Sequence, residues 1–308
     1  MNSKSASTKL KEILTAAQWT QEQLARALET PLKTLNLWIN DKSTPREKGM
    51  ESINSLYLDI VGRAQVDAAL LSKTEKQALS KHITVKEIIS NEELLNKLAL
   101  YLTYHTNTIE GSTMTLSDVK EVLDDDHKVL TNKSAKEQIE ARNHRAAFHY
   151  LLDELNSQGK DFKWTKDLIL NTHLRLMNTL ISNAGLYRNH RVRILGSNAP
   201  LTNYLRVPER MEELIEIINQ PVSCLIERIA LTHATFEQIH PFSDGNGRTG
   251  RLIMFIQALQ NSVVPPLVVK ERKRAYYQYL EIAHLQNQYE LLRLFTAESI
   301  LFTANLIE

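Results

Sequence analysis

From about residue 91 to the C-terminus, apolar residues recur every three or four positions in long runs, the spacing of helices that turn one face to a core. The pattern predicts helices over 91–110, 115–124, 134–156, 165–180, 208–218, 221–239, 246–260, 272–284 and 287–306. Residues 8–60 instead read as shorter helical pieces with close punctuation. Thr20 followed by Gln23 has the spacing of a capping box, which starts a helix. Leu24, Ala27 and Leu28 share its face, Thr30-Pro31 interrupts it, and Leu32, Leu35, Trp38 and Ile39 resume the period until Asn40 to Pro45 ends it. Leu35 and Trp38 are predicted core. Two helices across so short a break suggest a helix-turn-helix. Residues 61–90 read as a helical connector of mixed charge. One segment departs from the helical period: between Gly185 and Gly196, Tyr187 to Ile194 alternates in its last residues, as a short β-hairpin would. The chain is therefore expected to be all-α, with a helix-turn-helix module over 1–60, the connector over 61–90, and a helical bundle with one small hairpin over 91–308.

Composition supports this. Nine glycines and eight prolines in 308 residues compare with roughly 22 and 15 at average usage. So few breaks exclude sandwiches, many-turned barrels and Gly/Ser linkers, and make each glycine informative. Lys+Arg number 37 against 36 Asp+Glu, so no global field advertises nucleic acid or membrane. The polar start, Met1 to Thr8, and the lack of a long apolar run lead us to expect a soluble, cytoplasmic protein without a membrane span. Cys224 stands alone and cannot form an internal disulfide. Beside Leu225 and Ile226 it reads as a buried structural thiol.

The densest cluster of special residues is His240-Pro241-Phe242-Ser243-Asp244-Gly245-Asn246-Gly247-Arg248-Thr249-Gly250-Arg251. An apolar helix leads in and Pro241 stops it; a second apolar helix leads out. The glycine-rich first turn of that second helix leaves backbone N–H groups unpaired at the positive end of the helix dipole, an anion site suited to phosphate. Arg248 and Arg251, three apart on one face, add donors for further phosphates. Asp244 supplies the kind of oxygen that Mg²⁺ takes from a protein when phosphates and water fill its other positions. His240 is placed to take a proton from an incoming hydroxyl. Taken singly, a histidine at a helix end is a packing residue and Gly-Asn-Gly is a turn. A plain turn, however, needs no acid, base and two arginines at fixed offsets.

These residues resemble the Fic family, whose signature His-Pro-Phe-x-Asp/Glu-Gly-Asn-Gly-Arg-x-x-Arg is met at every specified position, with likeness extending over most of 91–300. The resemblance implies a helical domain that transfers AMP from ATP, with Mg²⁺, to a Ser, Thr or Tyr hydroxyl of a target protein. It implies His240 as general base, Asp244 as metal ligand, and Gly245, Asn246 and Gly247, with Thr249 and Gly250 in the same loop, as the phosphate cradle. Arg248 and Arg251 would be the clamps and Phe242 a core anchor. The suspected hairpin resembles the family's flap, which pairs with the target by strand addition, with Val192, Arg193 and Ile194 as its edge. Tyr277 resembles part of the nucleotide-base pocket, Tyr276 reads equally as core packing, and His284 stands where many relatives carry Asn.

The helix predicted to end at Thr106-Asn107-Thr108-Ile109-Glu110-Gly111 resembles the family's inhibitory motif, Ser/Thr-x-x-x-Glu-Gly/Asn. The resemblance implies that Glu110, one turn after Thr106, pairs with Arg251 and blocks the ATP γ-phosphate. The same site could run in reverse and remove AMP, and relatives transfer UMP, phosphate or phosphocholine. Self-modification and homodimerisation are further implied possibilities. The segment 24–46 resembles a phage-repressor helix-turn-helix, with Glu29 and Asp41 where glycine is common, and Lys33, Thr34 and Asn36 toward a DNA groove. The competing reading is a DNA-binding regulator whose Fic domain binds nucleotide without transfer.

Overall fold

The computed structural model describes residues 5–17, 19–61, 66–125, 127–194, 199–221 and 223–308, without the side chains of 58 and 59. Two compact units emerge, 1–66 with 274–279, and 67–273 with 280–308.

In the first unit, α1 (Ala6–Ala17), α2 (Gln21–Ala27), α3 (Leu32–Ile39) and α4 (Glu47–Val61) bury Leu10, Ile13, Leu24, Leu35 and Ile53 completely. The Thr20–Gln23 capping box forms as expected, with Thr20 N donating to Gln23 Oε1 at 2.8 Å and Gln23 N to Thr20 Oγ1 at 3.3 Å. Glu29 ends α2 in the left-handed region, φ 48°. The hydrogen bonds Thr30 N to Ala25 O and Glu29 N to Arg26 O close this end as a Schellman motif. Asp41, at φ 55°, ends α3 in the same way. Leu35 is core, whereas Trp38 is only half-buried against it.

The second unit holds α5 (Ala68–Leu79), α6 (Val85–Ser90), α7 (Glu92–Ile109), α8 (Leu116–Asp124), α9 (Ala135–Gln158), α10 (Lys166–Leu176), α11 (Val207–Asn219), α12 (Leu225–Ile239), α13 (Asn246–Gln260) and α15 (Glu290–Ile307), with part of α14 (Lys273–Gln286). Within it, α13 packs on α7, α9, α10 and α12. From Arg248 to Leu259 every residue of α13 is buried, so this helix is the axis of the bundle. Its apolar run and that of α12 supply Phe236, Phe255 and Ile256 to the core, each worth about 1.5–3 kcal/mol when fully buried. Helix α5, within the expected connector, packs on α15, where Arg293 holds Glu75 through two bonds of 2.9 and 3.1 Å.

No strand forms among the described residues; an isolated antiparallel bridge joins His82 and Val263. The expected hairpin is thus corrected over 185–194, while Gly196 lies outside the described residues. The backbone there is committed elsewhere: Leu186 N donates to Asn183 O in a turn and Arg188 N to Pro241 O at 2.8 Å. Cys224 is half-buried at the N-cap of α12 rather than in the core, because the helix starts one residue after it. Among the described residues, no helix is long and apolar enough to cross a membrane.

Candidate active site

The loop between α12 and α13 is built by three side chains that fix its backbone. Helix α12 closes at His240, whose N–H reaches Phe236 O at 2.9 Å while its own backbone turns left-handed, φ 50° and ψ 61°. Phe242 is fully buried, with its ring stacked on His173 at 3.6 Å and 2°. Asn246 then clamps it: Phe242 N donates to Asn246 Oδ1 and Asn246 Nδ2 donates to Phe242 O, both at 2.9 Å. His173 of α10 donates from Nε2 to Asp244 O at 2.9 Å and accepts Gly185 N–H at Nδ1, also at 2.9 Å. A carbonyl only accepts and an amide only donates, so this ring is neutral. Burial, which holds its pKa down to about 4, agrees.

Gly245 starts α13 with φ 79°, and a Cβ there would meet Met177 Sδ at 2.7 Å. No side chain caps the helix. The N–H groups of Asn246, Gly247 and Arg248 have no intrahelical acceptor and point out with the positive helix end, as an anion cradle requires. Asn246 offers an anion only its backbone, since its amide is spent on Phe242. Thr249 likewise turns its hydroxyl back to Gly245 O at 2.9 Å, and Gly250 lies against Glu237 and His233.

His240 Nδ1 lies 3.3 Å from the Glu237 carbonyl and so carries the proton, leaving the Nε2 lone pair to accept one. Burial pushes the imidazole down to about 4, against the opposing pull of that carbonyl bond, so it is neutral near pH 7. The Glu237 carboxyl, 3.9 Å from Nδ1, is raised to about 8 by burial and is protonated there.

Both arginines are buried and paired. Arg248 Nη1 meets Glu140 Oε1 at 3.0 Å and Nη2 meets Asp244 Oδ1 at 3.4 Å. Glu140, from α9, went unread in the sequence because nothing local marks it. Arg251 donates from Nε to Thr106 Oγ1 at 2.5 Å and from Nη2 to Glu110 Oε1 at 2.5 Å. Glu110 Oε1 also lies so close over Gly247 that a side chain there would collide with it. The carboxylate from the end of α7 thus stands above the cradle.

Asp244 is half exposed; its Oδ1 receives Gly245 N–H and Arg248, and no donor meets Oδ2 among the described residues. Among those residues no group of three or more His, Cys, Asp or Glu could hold a metal. One free carboxylate oxygen fits Mg²⁺, which binds through one or two carboxylates plus phosphates and water.

The remaining expected residues are dispersed. Val192, Arg193 and Ile194 run without strand pairing, half-buried, exposed and half-buried in turn. Tyr277, in the stretch grouped with the first unit, is 41% exposed, whereas Tyr276 is buried. His284 donates from Nε2 to Ala234 O at 2.8 Å. On α3, Lys33 is exposed and Thr34 and Asn36 are half-buried.

Residues 163–258 match the Fic/DOC family. The chain is 31% identical over 186 residues to protein adenylyltransferase fic-1 of Caenorhabditis elegans, covering 59% of this chain and 36% of that protein. It is 29% identical over 218 residues to protein adenylyltransferase Fic of Aedes aegypti, covering 70% and 39%. The matched region thus spans well under half the length of these relatives. Among solved structures, Fic-1 from C. elegans superposes with a TM-score of 0.67 at 21% identity, over 96% of this chain and 85% of the other. A Fic domain containing signaling protein from Bacteroides thetaiotaomicron gives 0.64 at 20%, over 78% and 95%. The complete signature from His240 to Arg251, a loop followed by the first turns of α13, lies within the segment 163–258 that matches the Fic/DOC family.

Proposed function

We propose that this protein is a protein adenylyltransferase held inactive by Glu110. The observation that carries this reading is a neutral His240 next to an anion cradle whose buried Arg251 is already engaged by a carboxylate from another helix. The names of the curated relatives support it. In the reaction, Nε2 of His240 takes the proton of a Ser, Thr or Tyr hydroxyl as its oxygen bonds to the α-phosphorus of ATP. The bond to the bridging oxygen breaks and pyrophosphate leaves. The first-turn N–H groups of α13, with Arg248 and Arg251, carry the phosphate charge. Mg²⁺, held through Asp244, would neutralise the remaining charge when bound. Glu110 on Arg251 takes the place of the γ-phosphate, which accounts for a resting enzyme.

Incubation with Mg²⁺, α-labelled ATP and a clarified lysate tests this. Glu110→Gly is expected to raise label on protein at least about tenfold over wild type, and His240→Ala in that background to remove it, a loss of general-base catalysis worth about 10²–10⁴. A Glu110→Gly protein no more active than wild type rejects the brake. Mass spectrometry of the product distinguishes AMP from UMP, phosphate or phosphocholine, and loss of label on incubation of modified protein with wild type would support the reverse reaction.

A second activity is proposed for the first unit: DNA binding through α3. It is supported by the left-handed turns at Glu29 and Asp41, which adopt the geometry for which glycine is common, and by exposed Lys33. Fluorescence anisotropy of a labelled duplex should show affinity that falls with salt and drops on Lys33→Ala; no binding at low salt rejects it.

A further inference from the structure

Arg188 is buried, at 3% exposure, yet among the described residues no carboxylate lies within ion-pair distance of it. Its guanidinium is spent on backbone carbonyls: Nε donates to His240 O at 2.7 Å, Nη1 to His190 O at 2.8 Å, and Nη2 to Thr202 O at 2.5 Å and Ile239 O at 3.3 Å. Its own N–H reaches Pro241 O at 2.8 Å. An isolated buried charge is costly, and here carbonyl dipoles replace water, two of them from the negative end of α12. Those two belong to Ile239 and His240, where the helix would otherwise leave orphan acceptors.

His240 itself is held at φ 50°, a left-handed conformation that is costly for a non-glycine residue and persists only when its surroundings over-determine it. The N–H of His240 is tied back to α12 and its carbonyl is tied to Arg188. The planar guanidinium meets four carbonyls with five N–H donors spread over three nitrogens, whereas an ammonium has three donors on one nitrogen. We propose that Arg188 is the positioning residue of the active-site histidine, fastening the His240 backbone to His190 and Thr202 so that the imidazole and the segment 187–194 keep one fixed geometry. This rests on His240 acting as the base.

The test uses Arg188→Lys, which keeps the charge and loses the fork, in the Glu110→Gly protein. Labelling from α-labelled ATP with a clarified lysate at saturating ATP should fall about 10–100-fold, as misplacement by an ångström does. ATP affinity by calorimetry should stay unchanged. Hydrogen exchange should quicken at 187–194 and 239–240 but not in α10 or the second half of α13. A labelling rate equal to the parent's overturns the proposal. So does a parallel loss of ATP affinity, or loss of the fold, either of which marks a merely structural arginine. If the Glu110→Gly parent labels nothing, the transferase reading fails by itself. Exchange then decides Arg188: unchanged rates at 187–194 and 239–240 overturn the proposal, and faster ones support it.

Discussion

Asn246 shows how one side chain can decide a loop. Its amide satisfies both the N–H and the C=O of Phe242, at a position where neither reaches water. Asn246→Ala leaves two buried backbone groups unpaired, at about 1–3 kcal/mol each, and should destabilise the protein by about 2–6 kcal/mol in urea unfolding. In the proposed transferase, labelling from ATP should also be lost, although the side chain amide is spent on Phe242 and does not face the cradle. The sequence marked Asn246 as part of an anion site, and its neighbours on both sides made that legible. It did not show that the amide closes the loop while only the backbone faces the anion, because that depends on where Phe242 is anchored. His173, which supplies the anchor by stacking, is 71 residues from its hydrogen-bond partner Asp244 and carries no local signal.

Among the elements, the end of α7 is the most consequential. Gly111 N donates to Thr108 O and Ser112 N to Asn107 O, a Schellman motif that stops the helix with Glu110 as its cap. Gly111 has φ 110° and open space around a Cβ, so backbone conformation, not crowding, requires glycine there. Gly111→Ala should cost about 1–2 kcal/mol in urea unfolding and raise basal labelling, by less than Glu110→Gly, because the cap that aims the carboxylate at Arg251 is disturbed. The helices themselves were legible from periodicity, most ends falling within a few residues of expectation. Two exceptions have physical causes. The helix expected over 165–180 stops at Leu176, with Thr179 beyond it at φ 62°. The hairpin is absent over 185–194 because Arg188 and its neighbours bond to the loop between α12 and α13, and alternation of side chains alone cannot supply a partner strand.

For the whole molecule, buried histidines set the acid limit. Burial holds His105, His173 and His240 at about 4, and His144 and His233 at about 3. Below pH ~6.5 the unfolded chain takes up protons at these sites that the folded chain refuses until pH ~4 or lower. Stability therefore falls as pH drops through that window, by about 1.4 kcal/mol per pH unit for each histidine. Glu237 acts in the opposite sense: raised to about 8, it stabilises the fold at low pH and loses that contribution as pH rises through 8. One such group does not offset five. Thermal midpoints should drop steeply below about pH 6, and a flat profile down to pH ~4.5 would contradict the burial of neutral imidazoles. The sequence alone determined the helical class, through apolar spacing and scarce glycine, and the residues that compose the loop, because those are properties of neighbouring residues. The resemblance implied the contact of Glu110 with Arg251, which forms across 141 residues, but only tertiary structure decided that Glu140 holds Arg248 across 108 and that Arg188 fastens His240 across 52. Each of those bonds depends on which helix faces rest on α12 and α13, and packing of the whole core, not local pattern, fixes that.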